Sequence, residues 1–185
     1  MTTRKAAVTV FGSAQTSPGT AEWAQAEATG SRLARAGLDV VTGGYGGTME
    51  AVSKGASDAG GHTIGVTAPS QFPQREGANR YIAEVIEASD LTHRIGLMID
   101  RARAAIALPG SIGTATELLI AWNINHIVRR NGGTPFPTAA VGPNWEQFSQ
   151  SLALHIDAYP GDIHLSDNAD QAVDWIFEQL EIREI

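Results

Sequence analysis

Apolar and polar positions follow two rhythms along this chain, and the rhythms take turns. Short apolar runs stand at Ala6–Val10, Leu38–Gly43, His62–Ala68, Ala104–Leu108 and Pro137–Gly142, with a weaker one at Tyr81–Ala88. Runs of this length bounded by glycine or proline predict buried strands. Between them apolar residues recur three and four apart, predicting helices over Glu22–Ala36, Thr48–Ala59, Leu91–Arg103, from the "PGSIGT" loop to about Arg130, and over Asn144–Asp157. A last helix, Ala169–Leu180, places Ala169, Ala172, Val173, Ile176, Phe177 and Leu180 on one face. Strands alternating with helices predict an α/β fold: one Rossmann-like, doubly wound domain over residues 1–185, its parallel sheet covered by helices on both faces. No linker, repeat or low-complexity segment interrupts it.

Composition narrows the function classes. At 185 residues and 43% hydrophobic content the chain can bury a core without staples. It has no cysteine, which excludes disulfides, thiolate metal sites and a thiol nucleophile. A formal net charge of -7 argues against an electrostatic nucleic-acid binder. No apolar run approaches the ~20 residues of a membrane span. Arg4 and Lys5 precede the first apolar run, which is too short for a signal peptide and reads as a strand with a charged lead-in. The expected location is the cytoplasm.

In an open parallel sheet, ligands bind outside the carboxyl ends of the strands. Three glycine-bearing loops are predicted there, "FGSAQ", "GGYGGT" and "PGSIGT". They make Gly12 and Ser13, then Gly43, Gly44, Gly46, Gly47 and Thr48, and then Pro109, Gly110, Ser111, Gly113 and Thr114 candidate substrate or phosphate contacts. Glycines admit a ligand close to the backbone, and the N–H groups of the following helix favour an anion. Thr114-x-x-Glu117 also matches a capping box, in which both side chains only satisfy helix-start N–H groups. Capping and ligand contact remain open for Glu117 at this point. Common alternatives are absent: no G-x-G-x-x-G follows the first strand, no G-x-x-x-x-G-K-[ST] occurs, and Pro109 stands where a nucleophile elbow needs glycine. The five histidines lack metal-ligand spacing, and neither metal nor cofactor is expected.

Upstream, "DLTHRIGLMIDRARAAIALPG" places Leu91, Ile95, Met98 and Ala102 on one helical stripe, so Met98 is expected in the core more than at a ligand. Arg94 lies beside the stripe near the helix start, where a cation opposes the dipole. It is either solvated or poised over the pocket. Arg101 and Arg103 read as solvated charges.

These segments resemble the Lonely Guy (LOG) family of cytokinin riboside 5'-monophosphate phosphoribohydrolases over roughly Val8–Trp122. "VFGSA" resembles the family's opening loop, "GGYGGTMEAVSKGA" its second glycine loop and helix, "HRIGLM" its arginine-bearing helix, and "PGSIGTATE" its P-G-G-x-G-T-x-x-E signature. The resemblance implies Arg94 and Glu117 as catalytic pair, Gly110–Thr114 as phosphate cradle, Glu76 near the nucleotide (otherwise a solvent-facing loop carboxylate), Met98 along the same site, and a homodimer. It implies hydrolysis of AMP or an N6-modified AMP to free base and ribose 5-phosphate. The chain departs from the pattern at Ser111 for glycine, Ile95 for lysine and Thr116 for a carboxylate; the missing lysine is expected to remove a ligand contact. The same segments also resemble molybdenum-cofactor-carrier-like proteins, whose similarity implies anion binding without turnover.

Overall fold

The computed structural model describes residues 6–182; the charged lead-in at Arg4 and Lys5 and both ends of the expected domain lie outside them. Seven parallel strands form one sheet: β1 (Ala7–Phe11), β2 (Asp39–Thr42), β3 (Thr63–Thr67), β4 (Glu84–Glu87), β5 (Ala104–Ala107), β6 (Thr138–Val141) and β7 (His164–Ser166). Their spatial order is β4-β3-β2-β1-β5-β6-β7. The chain therefore builds outward from β1 to β4, then returns to the other side of β1 with β5. Val8 pairs with Val40 on one side and with Ala104 on the other, in register. A crevice is expected where the order reverses, between the loops leaving β1 and β5.

Six helices connect the strands among the described residues: α1 (Ala21–Arg35), α2 (Thr48–Asp58), α3 (Leu91–Asp100), α4 (Ile112–Arg130), α5 (Pro143–His155) and α6 (Ala169–Gln179). Alternation along the strands sorts them into two layers. Val8, Val10, Val40 and Ile106 pack with α1, α2 and α6. Ala7, Phe11, Val41, Ala105 and Ala107 face the opposite way, against α3, α4 and α5. The fold is the Rossmann-like α/β architecture that the pattern predicts.

Differences from the pattern have local causes. The three-residue β7 is too short to leave a periodic signal, and pairing with β6 makes it a strand. The helix expected to reach Arg103 stops at Asp100, because the Arg103 N–H already donates to the Ala7 carbonyl at 2.8 Å as the chain joins the sheet. Leu91, expected in the buried stripe, is 40% exposed at the helix's first turn, whereas Ile95 and Met98 are buried. Arg101 is not simply solvated; its guanidinium pairs with Glu84 at 3.2 Å.

Candidate active site

Parallel strands bring their carboxyl ends, and the loops that leave them, to one edge. There the loops are tied to each other. The Thr48 N–H donates to the Ser13 carbonyl at 2.8 Å, and the Thr16 and Thr48 hydroxyls are 2.8 Å apart. The Asn79 amide donates to the Gly44 and Tyr45 carbonyls at 3.2 and 2.9 Å, and the Tyr45 hydroxyl accepts from the Ala68 N–H at 2.9 Å.

Helices α1, α3 and α6 start behind side-chain caps from Thr20, Asp90 and Asn168. Helices α2 and α4, which follow the second and third glycine loops, start behind Gly47 and Ser111 with no side-chain cap. Helix α5 also lacks one, but Pro143 occupies its first turn. First-turn amides of α4 can therefore serve an anion, whereas the Thr48 N–H that opens α2 is already given to the Ser13 carbonyl. The capping box does not form. Helix α4 begins two residues before Thr114, whose buried hydroxyl has no hydrogen-bond partner among the described residues. Thr114 sits against Gly110, beneath the loop that the sequence marks as a phosphate cradle.

Glu117, one turn further along α4, faces inward to Arg94. Its Oε1 lies 3.4 Å from Arg94 Nη1, and the two side chains are only 10% and 5% exposed. Arg94 is neither solvated nor overhanging. Its Nε donates to the Val66 carbonyl at 2.7 Å and its Nη2 to the Gly43 carbonyl at 2.9 Å, so one guanidinium joins β2, β3, α3 and α4. Gly43 is required here, because a Cβ would overlap that guanidinium. Burial pushes the Glu117 carboxyl up to about 7, with Arg94 pulling the other way through charge and hydrogen bond. Burial also lowers the Arg94 pKa, against the pull of Glu117. The result is a carboxyl that titrates near neutrality and is held in place by an oriented cation.

Two clefts open among the loops at this edge. One, of about 430 Å³, runs between Ser13, Thr16, Ser17 and Pro109–Ser111, at the reversal of strand order. The other, of about 570 Å³, is bounded by Tyr45, Glu50, Arg75, Glu76, Asn79 and Arg80. A third cavity, of about 530 Å³, lies around Arg103, Phe136 and His164 at the strands' opposite ends. Gly12, Ser13, Gly46, Pro109, Gly110, Ser111 and Gly113 reach the surface near the first two clefts, whereas Gly43, Gly44, Gly47 and Thr48 are buried beneath them. Glu76 is exposed at the second cleft's rim. Met98 is wholly buried and packs in the core. Ile95 is 1% exposed and faces the same core.

Sequence reasoning missed Tyr45, Phe72, Arg75 and Asn79. The Tyr45 and Phe72 rings meet edge to face, with centroids 5.5 Å apart. Arg94 lies 5.6 and 5.8 Å from these rings, and Arg75 lies 4.6 and 4.2 Å from them. The polar, proline-bearing segment after β3 offered no periodicity that would have marked these contacts. Among the described residues, no group of three or more histidines and carboxylates could hold a metal ion.

Residues 5–136 match the family model described as the SLOG cluster4 family. The cytokinin riboside 5'-monophosphate phosphoribohydrolase of Mycobacterium marinum is 38% identical over 103 residues, 55% of this chain and 54% of the relative. The protein of the same name from Rhodococcoides fascians is 35% identical over 125 residues, 67% of this chain and 63% of the relative. The chain thus spans between about half and two thirds of the length of these relatives. In fold it is similar to the molybdenum cofactor binding protein of Rippkaea orientalis, with a TM-score of 0.74 over 96% of this chain and 98% of that one, at 21% identity.

Proposed function

The chain belongs to the SLOG cluster4 family, and from that premise we propose that it hydrolyses the N-glycosidic bond of a purine nucleoside 5'-monophosphate, releasing free base and ribose 5-phosphate. The observation that carries this reading is the buried Arg94–Glu117 pair one turn inside an α4 N-terminus that has no side-chain cap. The 5'-phosphate binds the first-turn amides of α4 with the Thr114 hydroxyl, which sets the ribose over Glu117. As the C1'–N9 bond breaks, its electron pair leaves with the base and the ribose becomes cationic. The Glu117 carboxylate stabilises that cation and receives the proton of the water that adds to C1', while the base takes up a proton at the nitrogen it frees. Arg94 is a positioning residue: it holds the carboxylate and ties it to the β2 and β3 loops. Phosphate contacts remote from the reacting bond improve its placement.

The protein acts as a cytoplasmic homodimer on this proposal. Support comes from exposed apolar side chains: Ile112, Leu119 and Ile127 along α4, Leu154 near the end of α5, and Ile156 and Tyr159 just after it. No helix among the described residues is long and apolar enough to cross a membrane.

A second reading, a non-catalytic protein that holds a nucleotide or a molybdenum cofactor through the same amides, is favoured by one observation. Neither Arg94 nor Glu117 borders either cleft. Free adenine released from AMP by the purified protein, with Glu117→Gln and Arg94→Ala alongside, separates the two. Release by the wild type that is lost in both variants supports hydrolysis. No release from any purine nucleoside 5'-monophosphate, with nucleotide still bound, supports the carrier.

A further inference from the structure

The cleft on the β2–β3 side of the catalytic pair is lined by charged and hydrogen-bonding side chains suited to a polar ring. Resting on the proposed hydrolysis, we infer that this cleft is the base subsite and that it selects a 6-oxopurine, as in GMP or IMP, over adenine and its N6-alkylated forms. The placement follows from order along the sheet edge. The phosphate cradle lies at the loop after β5, and Glu117 lies one turn inside it. Arg94 reaches from Glu117 across to the carbonyls of Gly43 and Val66, at the ends of β2 and β3. A nucleotide whose ribose covers Glu117 and whose phosphate lies on the β5 side must send its base towards β2 and β3, into the cleft of about 570 Å³.

The walls of that cleft determine which base fits. Its lining includes Tyr45, and the Arg75 guanidinium lies over the aromatic pair, 4.6 and 4.2 Å from the Tyr45 and Phe72 centroids. Stacking is the contact that Arg75 makes: among the described residues its guanidinium forms no hydrogen bond or ion pair. Its parallel donors suit two adjacent acceptors, the O6 and N7 of a 6-oxopurine. Adenine offers a donor at the corresponding position and would face Arg75 like to like. Glu50 and Glu76, on the same cleft, are likewise unpaired among the described residues and can accept from the N1–H of a 6-oxopurine or the 2-amino group of guanine. Asn79 is already committed to the Gly44 and Tyr45 carbonyls and acts as the pin that holds this segment over the loop. Arg80 stacks on Tyr81 and donates to its hydroxyl at 2.6 Å at the rim. An N6-alkyl chain would have to lie against the charged groups that line this cleft, Glu50, Arg75, Glu76 and Arg80.

The test is the ratio of kcat/KM for GMP and IMP to that for AMP and N6-isopentenyl-AMP, in the wild type and in Arg75→Ala, Arg75→Lys and Glu76→Gln. The 6-oxopurine nucleotides should lead by about tenfold or more. Arg75→Ala should bring the ratio to about one, and Arg75→Lys, which stays cationic but loses the paired donors, should restore little of it. A wild-type ratio of one or below, or a ratio unmoved in Arg75→Ala, overturns the base subsite and leaves the hydrolysis proposal standing. If no nucleotide is hydrolysed, the hydrolysis proposal fails, and the subsite is judged by calorimetric binding of GMP and AMP to the Glu117→Gln protein. Tighter GMP binding that is lost with Arg75→Ala supports it; equal or reversed affinity overturns it.

Discussion

Replacing Glu117 by glutamine keeps the side chain's shape and removes its ionisable proton. The buried carboxyl titrates at about 7 in the folded chain, against an ordinary 4.5. That difference is worth about 3 kcal/mol of linkage between protonation and folding. Below pH 4.5 both states hold the proton and the linkage is silent. Between 4.5 and about 7 the folded protein keeps the proton while the unfolded chain releases it, so stability falls as pH rises, and above about 7 the loss is complete. In Glu117→Gln this slope is absent. The assay is urea denaturation followed by tryptophan fluorescence, at matched protein concentration, for both proteins from pH 4.5 to 8. Subtraction cancels every other titrating group. The wild type should lose about 3 kcal/mol relative to the variant across that range. An offset between the two curves carries no information on this point, because the variant also weakens a contact to Arg94. The slope is decisive. A difference that stays flat would show that burial does not perturb the carboxyl. A wild type that gains on the variant as pH rises would show that Arg94 outweighs desolvation.

The same carboxyl sets the kinetic profile: kcat/KM for nucleotide hydrolysis should rise with pH to a plateau above about 7 once the substrate phosphate's own titration is removed, as initial rates from pH 5 to 9 would show. Gly43→Ala puts a methyl where the Arg94 guanidinium lies, and should cost about 1–3 kcal/mol of stability by thermal denaturation, with activity falling further than stability explains. Thr114→Val swaps a buried hydroxyl without a protein partner for a methyl; its stability should stay within about 0.5 kcal/mol of wild type while KM for the nucleotide rises about tenfold. Leu119→Arg places a charge on the exposed apolar face of α4 and should convert a dimer to a monomer by light scattering after gel filtration; an unchanged mass would remove that face from the interface.

Several features were legible before any fold was drawn. The strands and helices follow apolar spacing that acts within a few residues, so their order was readable to within one missed strand and small shifts at the ends. "PGSIGT" and "GGYGGT" marked the loops, since glycines just before a helix point to close backbone approach whatever the partner. The capping box was a misleading local signal. Thr114 and Glu117 have the correct spacing, but the helix starts earlier and both side chains turn away from its first amides. For the contacts of Tyr45 with Phe72, Arg75 and Asn79 no spacing existed to be read, because the partners come from separate loops.

The sequence by itself determined an α/β layering, an acidic chain without cysteine, and glycine loops before two helices, because propensity and periodicity are properties of neighbours along the chain. Only the tertiary structure decided that Arg94 and Glu117, 23 residues apart, face each other out of water. It also decided that Arg94 spends its other donors on the carbonyls of Gly43 and Val66, and that one cleft is lined by unpaired charges and by Tyr45. The physical reason is that burial is a sum over groups from the whole fold. No residue carries it in its own identity, and it is burial that moves the Glu117 carboxyl into the range where it can take and release a proton at neutral pH.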